Sequence, residues 1–225
     1  MTRQKTKLLV LSEANSRQLK LLQKLESVAD ITIGNSLNEI KHACATAEAL
    51  LFWDTSNELF QNAFPLCKNL KWVHSKNAGL ESLLFPEFIA SPVTLTNSQG
   101  VYARSLAEFA ITGMLYFAKD LQRMNRNKAQ KRWEQFEVEE LSGKTLGVFG
   151  YGAIGQQTAA RATALGMKVL ALRRNPGKKC LVSANEETIS QENKQRLFQE
   201  SDYLLVAAPL TAETRGAIGA KELGQ

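Results

Sequence analysis

Residues 145–155 read Thr-Leu-Gly-Val-Phe-Gly-Tyr-Gly-Ala-Ile-Gly, which sets Gly150, Gly152 and Gly155 in the spacing G-x-G-x-x-G. That spacing suits a ligand carrying phosphates. Gly150 allows a tight turn, Gly152 has no Cβ to block a pyrophosphate, and Gly155 lets a helix pack closely on the preceding strand. The backbone N–H groups of Ala153 and Ile154 then meet the phosphates at the positive end of the helix dipole. About 20 residues on, where a site preferring NAD carries Asp or Glu for the ribose 2′-hydroxyl, the chain has Arg173-Arg174. Two guanidinium groups there attract a 2′-phosphate, and no carboxylate repels it, so NADP is the expected cofactor ahead of NAD. The other reading is a pair of surface arginines beside a pocket that does not discriminate. A further apolar run, 203–207, ends in Ala208-Pro209-Leu210-Thr211, and a loop at that position should face the cofactor.

The glycine spacing alone is weak; its setting makes it specific. An apolar strand, 145–149, runs into it, a helical stretch, 156–165, follows, and a second apolar strand, 168–172, comes next, so the whole βαβ unit is present. Ahead of it, residues 103–119 carry apolar side chains at mixed i+3 and i+4 spacing, a helix long enough to link two domains. The first hundred residues alternate short apolar runs (8–11, 31–33, 50–53, 72–74, 93–96) with predicted helices (16–25, 37–44, 57–64), the pattern of a parallel sheet covered by helices. Lys76-Asn77-Ala78-Gly79 follows the fourth run directly, where open α/β sheets place ligand loops.

Composition agrees with a globular protein: 225 residues, 44% hydrophobic and 22% charged. No stretch approaches 18 uninterrupted apolar residues and the basic N-terminus precedes only Leu-Leu-Val-Leu, so neither a membrane nor a secretory role is expected. Cys44, Cys67 and Cys180 form no C-x-x-C pair and suggest reduced thiols, with no disulfide frame or metal site. Of the net charge of +6, much sits in Lys119, Arg123, Arg126, Lys128, Lys131 and Arg132, opposed locally by Asp120. Without an accompanying binding motif this run reads as a solvated helix face or linker rather than a nucleic-acid patch.

The segments NAGLESLLFPE, TLTNSQGVYARSLAEFAITGML, ELSGKTLGVFGYGAIGQQTAARATALGMKVLALRR and SDYLLVAAPLTAETRGAIGAKEL together resemble the D-isomer-specific 2-hydroxyacid dehydrogenase family, which includes phosphoglycerate, glyoxylate and hydroxypyruvate reductases. The resemblance implies an α/β enzyme with a flavodoxin-like substrate domain (1–100), a crossing helix and basic linker (101–132), and a doubly wound Rossmann dinucleotide-binding domain (133–225). It implies hydride transfer between a nicotinamide and a small 2-oxo or 2-hydroxy acid, in a cytoplasmic protein that is a homodimer when complete. By position, Ala78 and Gly79 fall in the loop whose N–H groups hold the substrate carboxylate, and Leu106-Ala107-Glu108 starts the crossing helix. Ala153, Ile154, Arg173, Ala208 and Pro209 fall on cofactor-contacting positions; Glu108 is equally read as a brace for its helix.

The family's catalytic Arg, acid and His would lie beyond Gln225, so no catalytic residue is assigned. His42 and His74 lie in the first half, where packing is the expected role. Three strands are counted after residue 144 where a complete fold of this type has six, so the expectation is a C-terminally truncated chain, inactive by itself. On that count the strand at 145–149 loses its neighbour and becomes an exposed apolar edge, leaving the second half prone to self-association. A non-catalytic dinucleotide-binding sensor or scaffold is the alternative function.

Overall fold

The apolar runs of the first hundred residues pair as five parallel strands: β1 (Thr6–Ser12), β2 (Ala29–Gly34), β3 (Ala49–Asp54), β4 (Trp72–Ser75) and β5 (Thr94–Asn97). Their order is β2-β1-β3-β4-β5, the flavodoxin-like arrangement. The computed structural model of the protein describes residues 4–173 and 185–224. It divides into two compact units, Met1–Gln99 and Gly100–Gln225.

In the first unit, a 3-10 helix (Arg17–Leu25) and the helices α1 (Leu37–Cys44), α2 (Asn57–Ala63) and α3 (Pro86–Ile89) connect the strands. Ser56 caps α2, its hydroxyl accepting from the Leu59 N–H at 3.2 Å. The core gathers Leu9, Leu11, Leu50, Phe52 and Val73 from the strands with Ile40 and Phe60 from the helices. Phe60 is fully buried, and the rings of Phe52, Phe64, Phe85 and Phe88 stand around it at centroid distances of 5.2–6.0 Å. A side chain of this kind contributes roughly 2–3 kcal/mol by leaving water.

The second unit opens with α4 (Ala103–Ala118) and α5 (Leu121–Ala129). Asp120, in the left-handed region at φ 45°, breaks the helix between them and caps α5 by accepting from the Arg123 N–H at 3.1 Å. Four parallel strands follow, β6 (Thr145–Phe149), β7 (Lys168–Leu172), β8 (Glu186–Ile189) and β9 (Tyr203–Val206), with α6 (Ala153–Ala164), α7 (Lys194–Gln199) and α8 (Ala220–Leu223). The unbroken apolar run of β7 has a direct cause. Val169 and Ala171 enter the core shared by α4 and α6, while Leu170 and Leu172 enter a second core with Leu197 of α7 on the other face.

The strand order β8-β7-β6-β9 corrects two expectations. Among the described residues four strands, not three, follow residue 144, because the polar segment Glu-Glu-Thr-Ile forms β8 against β7. Tyr203–Val206 is therefore the fourth strand, and it pairs with β6 from Leu146↔Tyr203 to Phe149↔Val206. The strand at 145–149 is interior, not an edge. The described residues thus supply the 3-2-1-4 portion of the doubly wound order, with β8 and β9 at its edges.

The basic run folds as α5 and the turn after it. Arg123 grips Glu134 through two bonds, 2.6 and 3.3 Å, and Asn127 and Arg132 bind the same carboxylate at 2.8 and 3.3 Å. Lys119 donates to the Glu139 carbonyl at 2.6 Å. These cations hold the segment after α5 in place. No described helix is long and apolar enough to cross a membrane.

Candidate functional site

Parallel strands β6, β7 and β9 end on the same side of their sheet, and the segments that leave those ends line a cavity of about 430 Å³. Its walls come from Gly150, Tyr151 and Gly152 after β6, Arg173 after β7, and Ala208 and Pro209 after β9. Open α/β sheets bind ligands at this position, outside the carboxyl ends of the strands.

The three glycines answer to different constraints. Gly150 has φ +101°, a conformation that disfavours any side chain, and a Cβ there would run into the Ala208 backbone, 2.5 Å from its Cα. At Gly155 an added Cβ would lie 2.6 Å from the Gly150 carbonyl oxygen and 3.0 Å from Val148 Cγ1, so its absence lets α6 close onto β6. Gly152 differs from both. It has φ −84°, ordinary for an L-residue, and an added Cβ would meet no protein atom within 4 Å. Gly152 is exposed and lines the cavity.

Gly152 is also the N-cap of α6 and offers no side chain to cap it. The first N–H groups of a helix have no partner within it, so Ala153, Ile154 and Gly155 present donors and the positive end of the helix dipole. Ile154 points its side chain elsewhere, into a second, apolar cavity of about 430 Å³ between α4 and β9. Leu106, Phe109 and Gly113 of α4 line that cavity together with residues of β9.

Arg173 follows the last residue of β7, and its N–H donates to the Ile189 carbonyl at 3.0 Å. Its guanidinium lies over the Tyr151 ring, 5.4 Å from the centroid. Arg174 lies outside the described residues, as does Cys180. The loop bearing Ala208 and Pro209 is held at both ends: the Ala207 N–H donates to the Phe149 carbonyl at 2.8 Å, and the Thr214 hydroxyl donates to the Pro209 carbonyl at 2.6 Å.

In the first unit, Ala78 and Gly79 are exposed in the loop that leaves β4. The Asn97 amide donates to the Ala78 carbonyl at 2.6 Å and Ser98 donates to the Asn77 carbonyl at 3.3 Å, tying the loop to the end of β5. His42 is exposed on α1, and His74 of β4 shares the Thr96 hydroxyl with Trp72, each at 2.8 Å. Glu108 pairs with Arg104 of its own helix at 3.3 Å and with Arg161 of α6 at 3.5 Å, so it braces α4 against α6. Cys44 and Cys67 are both buried, and burial followed by the neighbouring Cys44 pushes the Cys67 thiol up to about 12. Among the described residues no group of His, Cys, Asp or Glu could hold a metal ion.

Thr211 belongs to the loop expected from the sequence to face the cofactor, whereas the lining residues Tyr151, Gln191 and Thr214 were not singled out. The threonines carried a signal. Thr-x-x-Thr after Pro209 is a side-chain-closed turn, in which the Thr211 N–H donates to the Thr214 hydroxyl at 2.8 Å. Gln191 carried none, because it belongs to the segment after the unrecognised strand β8.

Residues 111–225 match the family model for D-isomer specific 2-hydroxyacid dehydrogenase, NAD binding domain. A hydroxypyruvate reductase of Thermotoga maritima is 32% identical over 160 residues, covering 70% of this chain and 50% of that protein. A D-3-phosphoglycerate dehydrogenase of Methanocaldococcus jannaschii is 25% identical over 219 residues, covering 96% of this chain and 41% of that one. The chain thus spans half or less of the length of these relatives. Its fold is shared by a D-isomer specific 2-hydroxyacid dehydrogenase family protein from Aeromonas salmonicida, with TM-score 0.81 at 23% identity, over 94% of this chain and 66% of that one. A D-isomer specific 2-hydroxyacid dehydrogenase from Xanthobacter autotrophicus, solved with NADPH and MES, gives TM-score 0.76 at 23% identity, over 98% and 69%. Since the matched family model spans the glycine loop, β6 to β9 and the cavity at their ends, the chain belongs to the D-isomer-specific 2-hydroxyacid dehydrogenase family.

Proposed function

We propose that the second unit binds NADP(H), in preference to NAD(H), at the ends of β6, β7 and β9. The observation that carries this reading is Gly152, a residue with ordinary backbone angles and empty side-chain space at the uncapped start of a helix. No packing contact calls for a glycine there, and Ser, Asn or Asp would serve the N-cap better. A ligand that must approach the backbone closely does call for one. In this reading the N–H groups of Ala153 and Ile154 bind the pyrophosphate, and Gly150 and Gly155 shape the loop. Ala208 and Pro209 lie along the dinucleotide, and Arg173 and Arg174 take the 2′-phosphate.

The whole protein then transfers a hydride between the nicotinamide and C2 of a small 2-oxo or 2-hydroxy acid. The cofactor supplies the hydride, and the chain supplies binding and orientation. Residues 1–100 form the substrate domain, with the N–H groups of Ala78 and Gly79 holding the substrate carboxylate; 101–132 form the connection and 133–225 the dinucleotide-binding domain. We place the protein in the cytoplasm as a homodimer. These 225 residues by themselves bind without turnover, since neither His42 nor His74 stands at the family's catalytic position.

Titration with NADPH and NADH, followed by nicotinamide fluorescence, tests the reading. A charge-assisted contact to the 2′-phosphate is worth roughly 1.5–3 kcal/mol, so NADPH should bind about tenfold or more tightly. Arg173→Asp should reverse the preference. Equal affinities, unchanged in Arg173→Asp, would show that the arginine does not read the phosphate.

A further inference from the structure

We infer that Tyr151 determines cofactor specificity by holding Arg173 in place: its ring is a fixed platform that keeps the guanidinium at the cavity wall, ready for a 2′-phosphate. The inference deepens the cofactor reading above and rests on it. Tyr151 occupies the middle of the turn Gly150-Tyr151-Gly152, where phosphate binding requires no particular side chain. It is nevertheless one of the best anchored residues of the loop. Its side chain packs in the core with Met114, Ala118 and Leu141, only 8% of the residue is exposed, and its carbonyl accepts from Gln156 Nε2 at 3.3 Å. Arg173 comes from a different strand end, its backbone pinned to Ile189 of β8, and its guanidinium lies 5.4 Å from the Tyr151 centroid. Both residues line the same cavity as Gly152.

A long arginine side chain loses much rotamer freedom when it captures a phosphate. Held beforehand over an immobile aromatic face, it loses less. The consequence is selective. A dinucleotide without the 2′-phosphate makes no use of Arg173, so it gains nothing from the tyrosine.

Binding of NADPH and NADH to the 225-residue chain, carrying single and double substitutions, tests this. Tyr151→Leu should weaken NADPH about fivefold while NADH changes by less than about twofold, and Tyr151→Phe, which keeps the ring, should retain the preference. In an Arg173→Gln background, Tyr151→Leu should have no further effect on NADPH, because the two residues act as one unit. If Tyr151→Leu does not fold, Tyr151→Met removes the aromatic face with a flexible filler and is read in the same way. Equal weakening of both cofactors in the Leu or Met variant would make Tyr151 a packing residue and overturn the inference. So would a preference lost in Tyr151→Phe, or one left intact in both ring-deleting variants while Arg173→Gln abolishes it. An unchanged preference in Arg173→Gln would instead refute the cofactor reading itself, and failure of the unsubstituted chain to bind either cofactor would refute both.

Discussion

Gly150 and Gly152 are two residues apart in one loop, yet replacing each by alanine should do opposite things. At Gly152 the angles φ −84° and ψ −157° suit alanine, and the new methyl meets no protein atom within 4 Å. Folding stability should therefore change little, by less than about 1 kcal/mol: alanine restricts the unfolded chain more than glycine does, a gain of about 0.4–1 kcal/mol, but it is the poorer N-cap for α6, a loss of similar size. Dinucleotide binding should fall. A methyl on this cavity-lining residue keeps the pyrophosphate from the N–H groups of α6, and loss of one charge-assisted hydrogen bond, worth roughly 1.5–3 kcal/mol, weakens binding about ten- to hundredfold. At Gly150 the same methyl is forced to φ +101° and into the backbone of Ala208. The left-handed conformation alone costs roughly 1–2 kcal/mol, and the clash raises the total to on the order of 3 kcal/mol, a fall of roughly 5–10 °C in melting temperature. Thermal denaturation and NADPH titration of the two variants separate the cases. Unaltered NADPH affinity in Gly152→Ala would refute the argument that this glycine serves a ligand, and a melting loss as large as that of Gly150→Ala would show that the protein itself requires it.

Four other outcomes are expected. The 225-residue chain should reduce glyoxylate, hydroxypyruvate or pyruvate far below the roughly 1 s⁻¹ normal for an enzyme, and a steady-state assay showing such a rate would contradict the assignment of no catalytic residue. Hydrogen bonds from Arg123 and then Asn127 pull the Glu134 carboxyl from 4.5 to about 2, so its stabilisation is complete above about pH 4.5 and is lost as pH falls toward 2. The melting difference between wild type and Glu134→Gln should shrink across that window; a difference independent of pH would remove the carboxylate from the account. Cys44 and Cys67, buried and with raised thiol pKa values, should escape alkylation at pH 8 in the native protein and react once it is denatured, as mass spectrometry would show. Amides at 146–149 of the interior strand β6 should exchange more slowly than those at 204–206 of the edge strand β9, and the reverse order would contradict the observed pairing.

How legible each element was depends on how much of it is buried. The strands at 145–149 and 168–172 are recovered with the same ends from sequence, because apolar side chains face cores on both sides of the sheet. The glycine loop was legible for a related reason: backbone geometry and close approach permit few residue types there. β8 was not legible. It is an edge strand of Glu-Glu-Thr-Ile in which Ile189 alone is fully buried, so its composition resembles a loop and its identity comes from the ladder with β7. The Arg173–Tyr151 contact was also out of reach, since it joins two strand ends 22 positions apart through a side chain whose direction no periodicity encodes.

Missing β8 distorted more than a count. With three strands assumed, the sheet order 3-2-1-4 strips strand 1 of its neighbour and leaves an apolar edge at 145–149. With β8 in third place, Tyr203–Val206 takes the fourth, and the ladder from Leu146↔Tyr203 to Phe149↔Val206 completes the interior position of β6. This pairing bears on the site as well as on stability. The bond from the Ala207 N–H to the Phe149 carbonyl extends the ladder just past the strands and brings the Ala208 backbone so close to Gly150 that no side chain fits between them. The turn that aims α6 at the cavity is therefore shaped by a strand more than fifty residues later in the chain, and substitutions that loosen β9 should reach the dinucleotide through Gly150 without touching it.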